Sequence, residues 1–186
     1  MELIKHINEH IEVIKKSFDS SFIEKIEKAG HLISDRINQG GKVILMGNGG
    51  SAADCQHIAA EFISKLSKDR IPLPAIALTV DTSAITAISN DYGYKNVFSR
   101  QLLGLCNSND VIIGISTSGT SSSIIHGFET AEKIGAFTIG LSGENKFLDF
   151  EPDLILNVKS HVTARIQEVH ILIGHLLCGV AEKPYV

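Results

Sequence analysis

Two histidines, a glutamate and a glutamine are spaced so that two helices could bring them to one cluster. His57 and Glu61 are four residues apart, so on a helix they would lie one turn apart on the same face and could share a ligand. Gln167 and His175 belong to a second segment of helical periodicity near the end of the chain. Imidazole nitrogens with carboxylate and amide oxygens suit a borderline divalent cation, and carboxylate and imidazole groups also move protons. The four residues predict a metal-binding site that can act on a proton.

Two loops rich in glycine and hydroxyl groups follow predicted strands and are typical of anion sites. Residues 47–51, GNGGS, lie between an apolar run and a helix, where free backbone N–H groups and the helix dipole favour a bound anion. Residues 116–123, STSGTSSS, open another helix, and their small side chains let hydrogen-bond donors crowd a phosphate. Neither loop has the GxxxxGK[ST] arrangement of nucleoside-triphosphate sites, so the pattern favours the single phosphate of a sugar phosphate.

The composition excludes several classes of protein. With 186 residues the chain is long enough to bury a full core, and we expect one domain over residues 1–186. A net charge of −4 gives no general attraction to nucleic acid, and no run of about 18 apolar residues indicates a membrane span. The three cysteines have no CxxC spacing, which predicts reduced thiols and a cytoplasmic location.

Hydrophobic periodicity predicts an N-terminal helical hairpin followed by alternating strands and helices. Apolar residues recur at spacings of three and four over residues 1–38, as in amphipathic helices. The later segments are predicted strands at 42–46, 75–78, 111–115, 137–141 and 154–158, and predicted helices at 52–67, 83–105, 121–134 and 163–181. Unbroken apolar strands separated by helices predict an α/β fold, a doubly wound, flavodoxin-like sheet of five parallel strands over residues 42–186.

Four segments of the sequence together resemble one family. They are Gly47 to Asp54 running into Gln56, His57 and Glu61; Asn90 to Gly93; Ser116 to Gly119; and Ala164 to His170 continuing to His175. Over nearly its whole length the chain resembles the sugar isomerase (SIS) domain proteins, and among them the phosphoheptose isomerases. Those enzymes are intramolecular oxidoreductases that interconvert sedoheptulose 7-phosphate and D-glycero-D-manno-heptose 7-phosphate. This reaction is the first step of activated-heptose biosynthesis for lipopolysaccharide or capsule.

The resemblance implies a role for each matching residue. One zinc ion per site would be bound by His57, Glu61, Gln167 and His175. The sugar phosphate would be held by Asn48, Gly49, Gly50, Ser51, Glu61, Asn90, Asp91, Ser116, Thr117, Ser118, Ser121 and Gln167. Glu61 would be the base and His175 the acid, because moving a carbonyl between two carbons through an enediolate requires both kinds of group.

Gln167 and His175 are eight residues apart, which corresponds to about 12 Å along a helix. That separation is close to the limit for two side chains on one ion, so either both reach toward the ion or one comes from a neighbouring subunit. The surplus of apolar helix at both ends of the chain favours the second arrangement. The resemblance likewise implies a homotetramer with active sites at its interfaces.

Two other functions stay open at the level of sequence. Some SIS-domain relatives bind a replication initiator and have no known isomerase activity, but they lack the acid matching Glu61 and the histidine matching His175. The other is an isomerase of a five- or six-carbon sugar phosphate, since the same motifs are compatible with pockets of different length. His161 and His170 are secondary candidates for contacting substrate or orienting a ligand, and Arg165 could pair with an acidic neighbour or with the substrate phosphate.

Overall fold

The structure is a computed structural model and describes residues 2–145, 147 and 149–186. Its α-helices are α1 (Glu2–Ser17), α2 (Ser20–Asn38), α3 (Gly50–Ile63), α4 (Thr82–Tyr92), α5 (Val97–Leu105), α6 (Ser122–Ile134) and α7 (Thr163–Ala181). Its strands are β1 (Val43–Gly47), β2 (Ala75–Ala77), β3 (Val111–Ser116), β4 (Phe137–Ser142) and β5 (Leu154–Asn157). Single turns of 3-10 helix lie at Tyr94–Asn96 and Lys183–Tyr185. Among the helices of this described part of the chain, none is long and apolar enough to cross a membrane.

The five strands form one parallel sheet in the order β2-β1-β3-β4-β5. β1 pairs on both sides, so Val43 lies opposite Ala75 on one side and Val111 on the other. Every residue of β1 and β3 is buried, as expected for central strands of a parallel sheet that is covered on both faces. The predicted flavodoxin-like α/β fold is therefore confirmed. The strand order reverses between β1 and β3, and ligands bind sheets of this kind beside such a point.

Apolar side chains fill both faces of the sheet. One face carries α1, α2, α3 and α7 over a cluster that includes Phe62 and Ile173, and the other carries α5 and α6 with Phe128 at its centre. Burying one such side chain contributes about 1.5–3 kcal/mol, so these layers hold α3 and α7 in place. The two helices also approach each other closely, because a Cβ on Gly174 would lie 2.5 Å from Ile58 Cδ1.

The segment predicted as one helix over 83–105 is broken at Gly93. Helix α4 ends at Tyr92, and Gly93 has a φ of 80°, a left-handed conformation that residues with a Cβ rarely adopt. Asn96 Nδ2 donates a hydrogen bond to Tyr92 O at 2.6 Å and stabilises the turn before α5. A single glycine inside a periodic segment is compatible with a continuous helix, so the pattern alone does not reveal the break. The break places the Tyr94 hydroxyl beside Asn48.

Candidate active site

Two histidines and a glutamate meet where α3 packs along α7. His57 Nε2 lies 2.8 Å from His175 Nε2 and 3.4 Å from Glu61 Oε1. One ligand atom from each residue lies within 4.8 Å of the other two. His57 and Glu61 share a face of α3 because they are one turn apart, and the neighbouring α7 brings His175 to them. Two imidazole nitrogens and a carboxylate oxygen form a donor set that fits a divalent ion such as zinc.

Gln167, the fourth predicted ligand, lies two helical turns before His175 on α7. Its amide packs against the first residue of α3, since a Cβ on Gly50 would lie 2.5 Å from Gln167 Nε2. His57, Glu61 and His175 come together within one chain, so no neighbouring subunit is needed for these three. Gln167 faces the glycine-rich loop, where its amide can reach a ligand bound at that loop.

Asn48, predicted to hold substrate, is oriented by three hydroxyl groups. Its Nδ2 donates hydrogen bonds to Ser121 Oγ at 2.8 Å and to Ser123 Oγ at 3.0 Å. The Tyr94 hydroxyl donates to its Oδ1 at 2.7 Å. Asn48 thereby joins the loop after β1 to the loop after β3. Tyr94 belongs to no sequence motif. It contacts Asn48 because the chain turns between α4 and α5.

The glycine-rich turn presents the amino end of α3. Gly49, with a φ of 56°, occupies the N-cap position and has no side chain that could accept the first N–H groups of the helix. Gly49 and Gly50 are exposed, whereas Ser51 is buried against the protein. The exposed amino end of α3 is therefore suited to an anion.

The loop after β3 is stabilised by its own hydroxyl groups. Ser116 Oγ accepts a hydrogen bond from the Gly119 N–H at 3.2 Å, and Ser118 Oγ lies 2.9 Å from Thr120 Oγ1. A cavity of about 200 Å³ adjoins the loop, and its lining includes Thr117, Ser118, Glu144, Ser160, His161 and Thr163. Since a water molecule takes up about 30 Å³, this space is large enough for a phosphate group and part of a sugar. Thr117 and Ser118 are the predicted phosphate ligands that open onto it.

Asn90 and Asp91 lie exposed near the end of α4. Asn90 Nδ2 donates a hydrogen bond to Asp91 Oδ1 at 2.8 Å. Helix α4 packs on the core through the partly buried Ile85, whereas Asn90 and Asp91 lie on its exposed surface. Among the described residues, Asp91 does not belong to the cluster of His57, Glu61 and His175. The single chain therefore leaves this predicted substrate-binding pair apart from the three clustered residues.

Two of the secondary candidates have charged partners within the chain. His161 Nε2 lies 3.2 Å from Glu144 Oε2, and both residues line the cavity beside the β3 loop. Arg165 pairs with Glu168, one turn further along α7, and donates a hydrogen bond to a backbone carbonyl of α1. The sequence left two partners open for Arg165, an acidic neighbour and the substrate phosphate. Within the chain, Arg165 contacts the acidic neighbour Glu168.

His170 is buried between α7 and the end of β4. Its Nε2 lies 3.1 Å from Ser142 O, which can only accept a hydrogen bond, so the ring donates from Nε2. Burial lowers the pKa of His170 to about 4, against the favourable hydrogen bond to Ser142. The ring is therefore neutral near pH 7. Its hydrogen bond connects α7 to the sheet, at a point of the helix between Gln167 and His175.

Comparisons with known proteins identify the family of the chain. The SIS domain family model matches residues 6–143. The phosphoheptose isomerase of Clostridium acetobutylicum is 51% identical over 170 residues, which are 89% of this chain and 85% of the relative. The phosphoheptose isomerase of Aquifex aeolicus is 44% identical over 185 residues, which are 98% of this chain and 96% of the relative.

Two solved structures show the same likeness in three dimensions. The phosphoheptose isomerase of Neisseria gonorrhoeae superposes with a TM-score of 0.90 at 38% identity, over 97% of both chains. The phosphoheptose isomerase of Francisella tularensis gives the same TM-score at 32% identity. Fold, sequence and the isomerase names of these relatives agree over nearly the full length of the chain. The protein therefore belongs to the SIS-domain phosphoheptose isomerase family and is an enzyme, a sugar-phosphate isomerase.

Proposed function

We propose that the protein converts sedoheptulose 7-phosphate to D-glycero-D-manno-heptose 7-phosphate through an enediolate. The cluster of His57, Glu61 and His175 is the observation that carries this proposal, because aldose–ketose isomerisation needs a base and an acid within reach of one substrate. The substrate class is taken from the relatives, which are named phosphoheptose isomerases at 44% and 51% identity.

Glu61 is the proposed base, and His175 is the proposed acid. In this scheme the Glu61 carboxylate takes the carbon-bound proton and returns it to the neighbouring carbon, while His175 supplies a proton at oxygen. The Glu61 side chain is 21% exposed, so its carboxylate is partly shielded from water and still open to a substrate. His57 contacts both groups, since its Nε2 lies 2.8 Å from His175 Nε2 and 3.4 Å from Glu61 Oε1.

We propose zinc as the ion that His57, Glu61 and His175 hold, with Gln167 as the fourth ligand. The support for zinc is the chemistry of the donor set, in which two imidazole nitrogens and a carboxylate oxygen converge. When bound, zinc would act as a Lewis acid toward the sugar oxygens. Gln167 would have to extend from its place beside Gly50 to take part, and its amide can alternatively contact the substrate.

The proposed orientation of the substrate puts its phosphate at the loop of residues 116–121 and its reacting carbons at the cluster. His57 follows Gly50 by seven residues on α3, which separates the cluster from the glycine-rich loop by about 10 Å. A seven-carbon sugar phosphate in extended form can span a separation of this order. Shorter sugars would bring their reacting carbons less far toward Glu61, and the choice of the longer substrate is taken from the names of the relatives.

Two alternatives are compatible with the same family. One is an isomerase of a five- or six-carbon sugar phosphate, which would use the same cluster on a shorter substrate. The other is a replication-initiator-binding protein, which would not need the convergence of Glu61 and His175. That convergence, together with the isomerase relatives, favours the enzyme over the binding protein.

A turnover assay distinguishes these possibilities. The purified protein is supplied with ketose phosphates of five, six and seven carbons, with the Glu61→Gln variant as the matched control for each substrate. We expect the highest kcat/KM for sedoheptulose 7-phosphate and a strongly reduced rate in the variant. A higher kcat/KM for a shorter ketose phosphate would contradict the proposed substrate. Equal rates in the two proteins would contradict the role of Glu61.

We also propose a setting for this activity. The exposed apolar residues of α1 support a homotetramer, in which the active sites lie at the interfaces. Three free cysteines support a reducing, cytoplasmic location. Residues 1–186 would fold as one domain, and the product would enter heptose biosynthesis for lipopolysaccharide or capsule.

A further inference from the structure

Arg70 is a buried cation in the segment between α3 and β2. Its side chain has an exposure of 0%. Its Nη2 donates a hydrogen bond to Glu61 O at 2.8 Å, and its Nη1 donates to Phe62 O at 2.8 Å and to Ile71 O at 3.0 Å. Two of these carbonyls belong to the last turn of α3. The same turn carries the Glu61 side chain.

Glu182 directly follows the last residue of α7 and completes this arrangement. Arg70 Nε donates to Glu182 Oε2 at 3.0 Å, and Ser67 Oγ donates to Glu182 Oε1 at 3.0 Å. The Glu182 side chain is 4% exposed. Leaving either buried charge without its partner would cost several kcal/mol, so each ion requires the other. The pair directly links the carboxyl ends of the two helices that carry the cluster.

The carboxyl end of α3 requires a donor of this kind. The last four carbonyls of a helix have no partners within it, and partial negative charge collects there. Helix α3 has no basic side chain in its last turn, and Ser64 rather than a glycine occupies its C-cap position. Arg70 supplies both the hydrogen bonds and the positive charge from the segment that follows. A lysine could replace the charge but not the planar fork of donors.

We propose that Arg70 is a positioning residue for the active centre. Together with Glu182 it fixes the last turn of α3, and therefore Glu61, relative to His175 on α7. The inference rests on the proposed role of Glu61 and identifies a residue outside the site on which the geometry of Glu61 depends. Displacing a catalytic group by about 1 Å can slow a reaction about 10²-fold. Loss of the Arg70 fork should therefore lower kcat more than it raises KM.

Two conservative variants and one control test this inference. Arg70→Lys keeps the charge and removes the fork, and Glu182→Gln keeps the shape and removes the partner charge. Asp110→Asn is the matched control, because Asp110 is fully buried and pairs with Lys42 at 2.7 Å at the start of β1 and β3. Thermal unfolding identifies an assay temperature at which all three variants are folded. Turnover kinetics are then measured at that temperature.

We expect Arg70→Lys and Glu182→Gln to lower kcat by at least about tenfold while KM changes by less than about twofold, since the loss lies in positioning rather than in binding. Asp110→Asn should lower the Tm and leave kcat unchanged. Unchanged kcat in the two test variants would overturn the inference. A similar loss of kcat in Asp110→Asn would overturn it as well, because general destabilisation would then explain the effect.

A double variant separates this inference from the proposed function. If Arg70 acts through Glu61, adding Arg70→Lys to Glu61→Gln should lower kcat by less than about twofold beyond Glu61→Gln alone, because the two effects are coupled. If Glu61→Gln is slow and the added Arg70→Lys lowers kcat by the same factor as it does in the wild type, the positioning role of Arg70 is overturned. The proposed role of Glu61 as the base would then still stand. A wild-type rate for Glu61→Gln would instead contradict the proposed base.

Discussion

At the scale of single residues, the closest contact in the site joins two imidazole rings. The Nε2 atoms of His57 and His175 are 2.8 Å apart, so one nitrogen can donate the hydrogen between them and the other must accept it. Two protonated rings at this distance would repel each other. Glu61 adds a carboxylate oxygen 3.4 Å from His57. The three side chains together offer a donor set for a metal cation.

Removal of one imidazole tests the metal site. Purified, chelator-free wild-type protein should contain about one zinc ion per chain, as expected for a site with nitrogen and oxygen ligands. His57→Ala should lose most of this metal, whereas His31→Ala, on the exposed surface of α2, should retain it. Elemental analysis of the three proteins gives the result. Equal zinc content in His57→Ala and wild type would show that the cluster is not the metal site.

The proposed base makes a separate prediction. Glu61→Gln should keep the fold and the binding of sugar phosphate, because the amide has nearly the shape of the carboxylate. Turnover should fall by at least about 10²-fold, in line with the loss of a general base. Steady-state kinetics and thermal unfolding measure the two properties. A variant that isomerises as fast as wild type would remove Glu61 from the mechanism.

His170 predicts a pH dependence of stability. Burial lowers its pKa to about 4 in the folded protein, below the value near 6.5 of an unfolded chain. Between these values the unfolded state binds more protons, so stability falls as pH decreases from about 6.5 and the loss is complete below about 4. The loss amounts to about 3 kcal/mol at most, since one unit of pKa corresponds to about 1.4 kcal/mol.

His170→Gln can still donate to Ser142 O but does not titrate. Denaturant unfolding of both proteins from pH 7 to pH 4.5 should show a shallower decline of the free energy of unfolding in the variant. Asp and Glu residues contribute equally to both curves, so only the difference between the curves reports on His170. Parallel curves would mean that His170 is not the group responsible.

At the scale of elements, the register between α3 and α7 decides which side chains meet. Gly50→Ala tests this register, because the new Cβ would lie 2.5 Å from Gln167 Nε2 and would turn the end of that side chain away. Gly50 does not have a positive φ, so alanine does not strain the backbone there. We expect KM for the sugar phosphate to rise about tenfold, equivalent to the loss of about one hydrogen bond.

Gly179→Ala is the matched control for this change, since its Cβ would meet Leu66 at 3.5 Å, an ordinary contact distance. It should retain the wild-type KM. If Gly50→Ala also retains the wild-type KM and metal content, the Gln167 amide contacts neither substrate nor ion.

The elements themselves could be predicted because each has a local cause. An unbroken apolar run such as 111–115 has to be buried on both sides, and the i, i+4 spacing of His57 and Glu61 places them on one helical face. The offset between two helices has no local cause. It depends on tertiary contacts such as that of Ile58 with Gly174, and it puts Gln167 of α7 beside Gly50 of α3 rather than beside His57.

The supporting contacts were beyond prediction for a related reason. Arg70 and Glu182 are 112 residues apart in sequence, and neither belongs to a motif. Tyr94 reaches Asn48 only because Gly93 ends α4. Charged and hydroxyl side chains have many possible partners along a chain, and only the folded arrangement selects one of them.

At the scale of the whole molecule, one face of α1 is apolar and exposed. Leu3, Ile4, Ile7 and Ile11 are exposed by 78%, 50%, 55% and 41%. Their spacing puts them on one side of the helix, and exposed apolar surface of this extent marks an interaction site. The proposed homotetramer would bury this surface between copies of the chain.

A double substitution tests that assembly. Light scattering should give the wild type about four times the 20.1 kDa mass of one chain. Ile4→Glu combined with Ile7→Glu should reduce the mass, because buried carboxylates without partners are costly. Lys16→Glu changes an exposed charge on the same helix and should not. A monomeric wild type would contradict the tetramer, and a tetrameric double variant would place the interface elsewhere.

Helix α4 buries no side chain fully within the chain, although Ile85 packs partly against the core, and it carries Asn90 and Asp91. Burial is the main source of order in a short helix, so contacts with surfaces outside its own chain would add to the order of α4. If those surfaces belong to other copies of the chain, a single chain is less active than the assembled protein. Activity per chain would then depend on protein concentration: it would decay after dilution at the rate of dissociation and recover at a rate that is second order in chains.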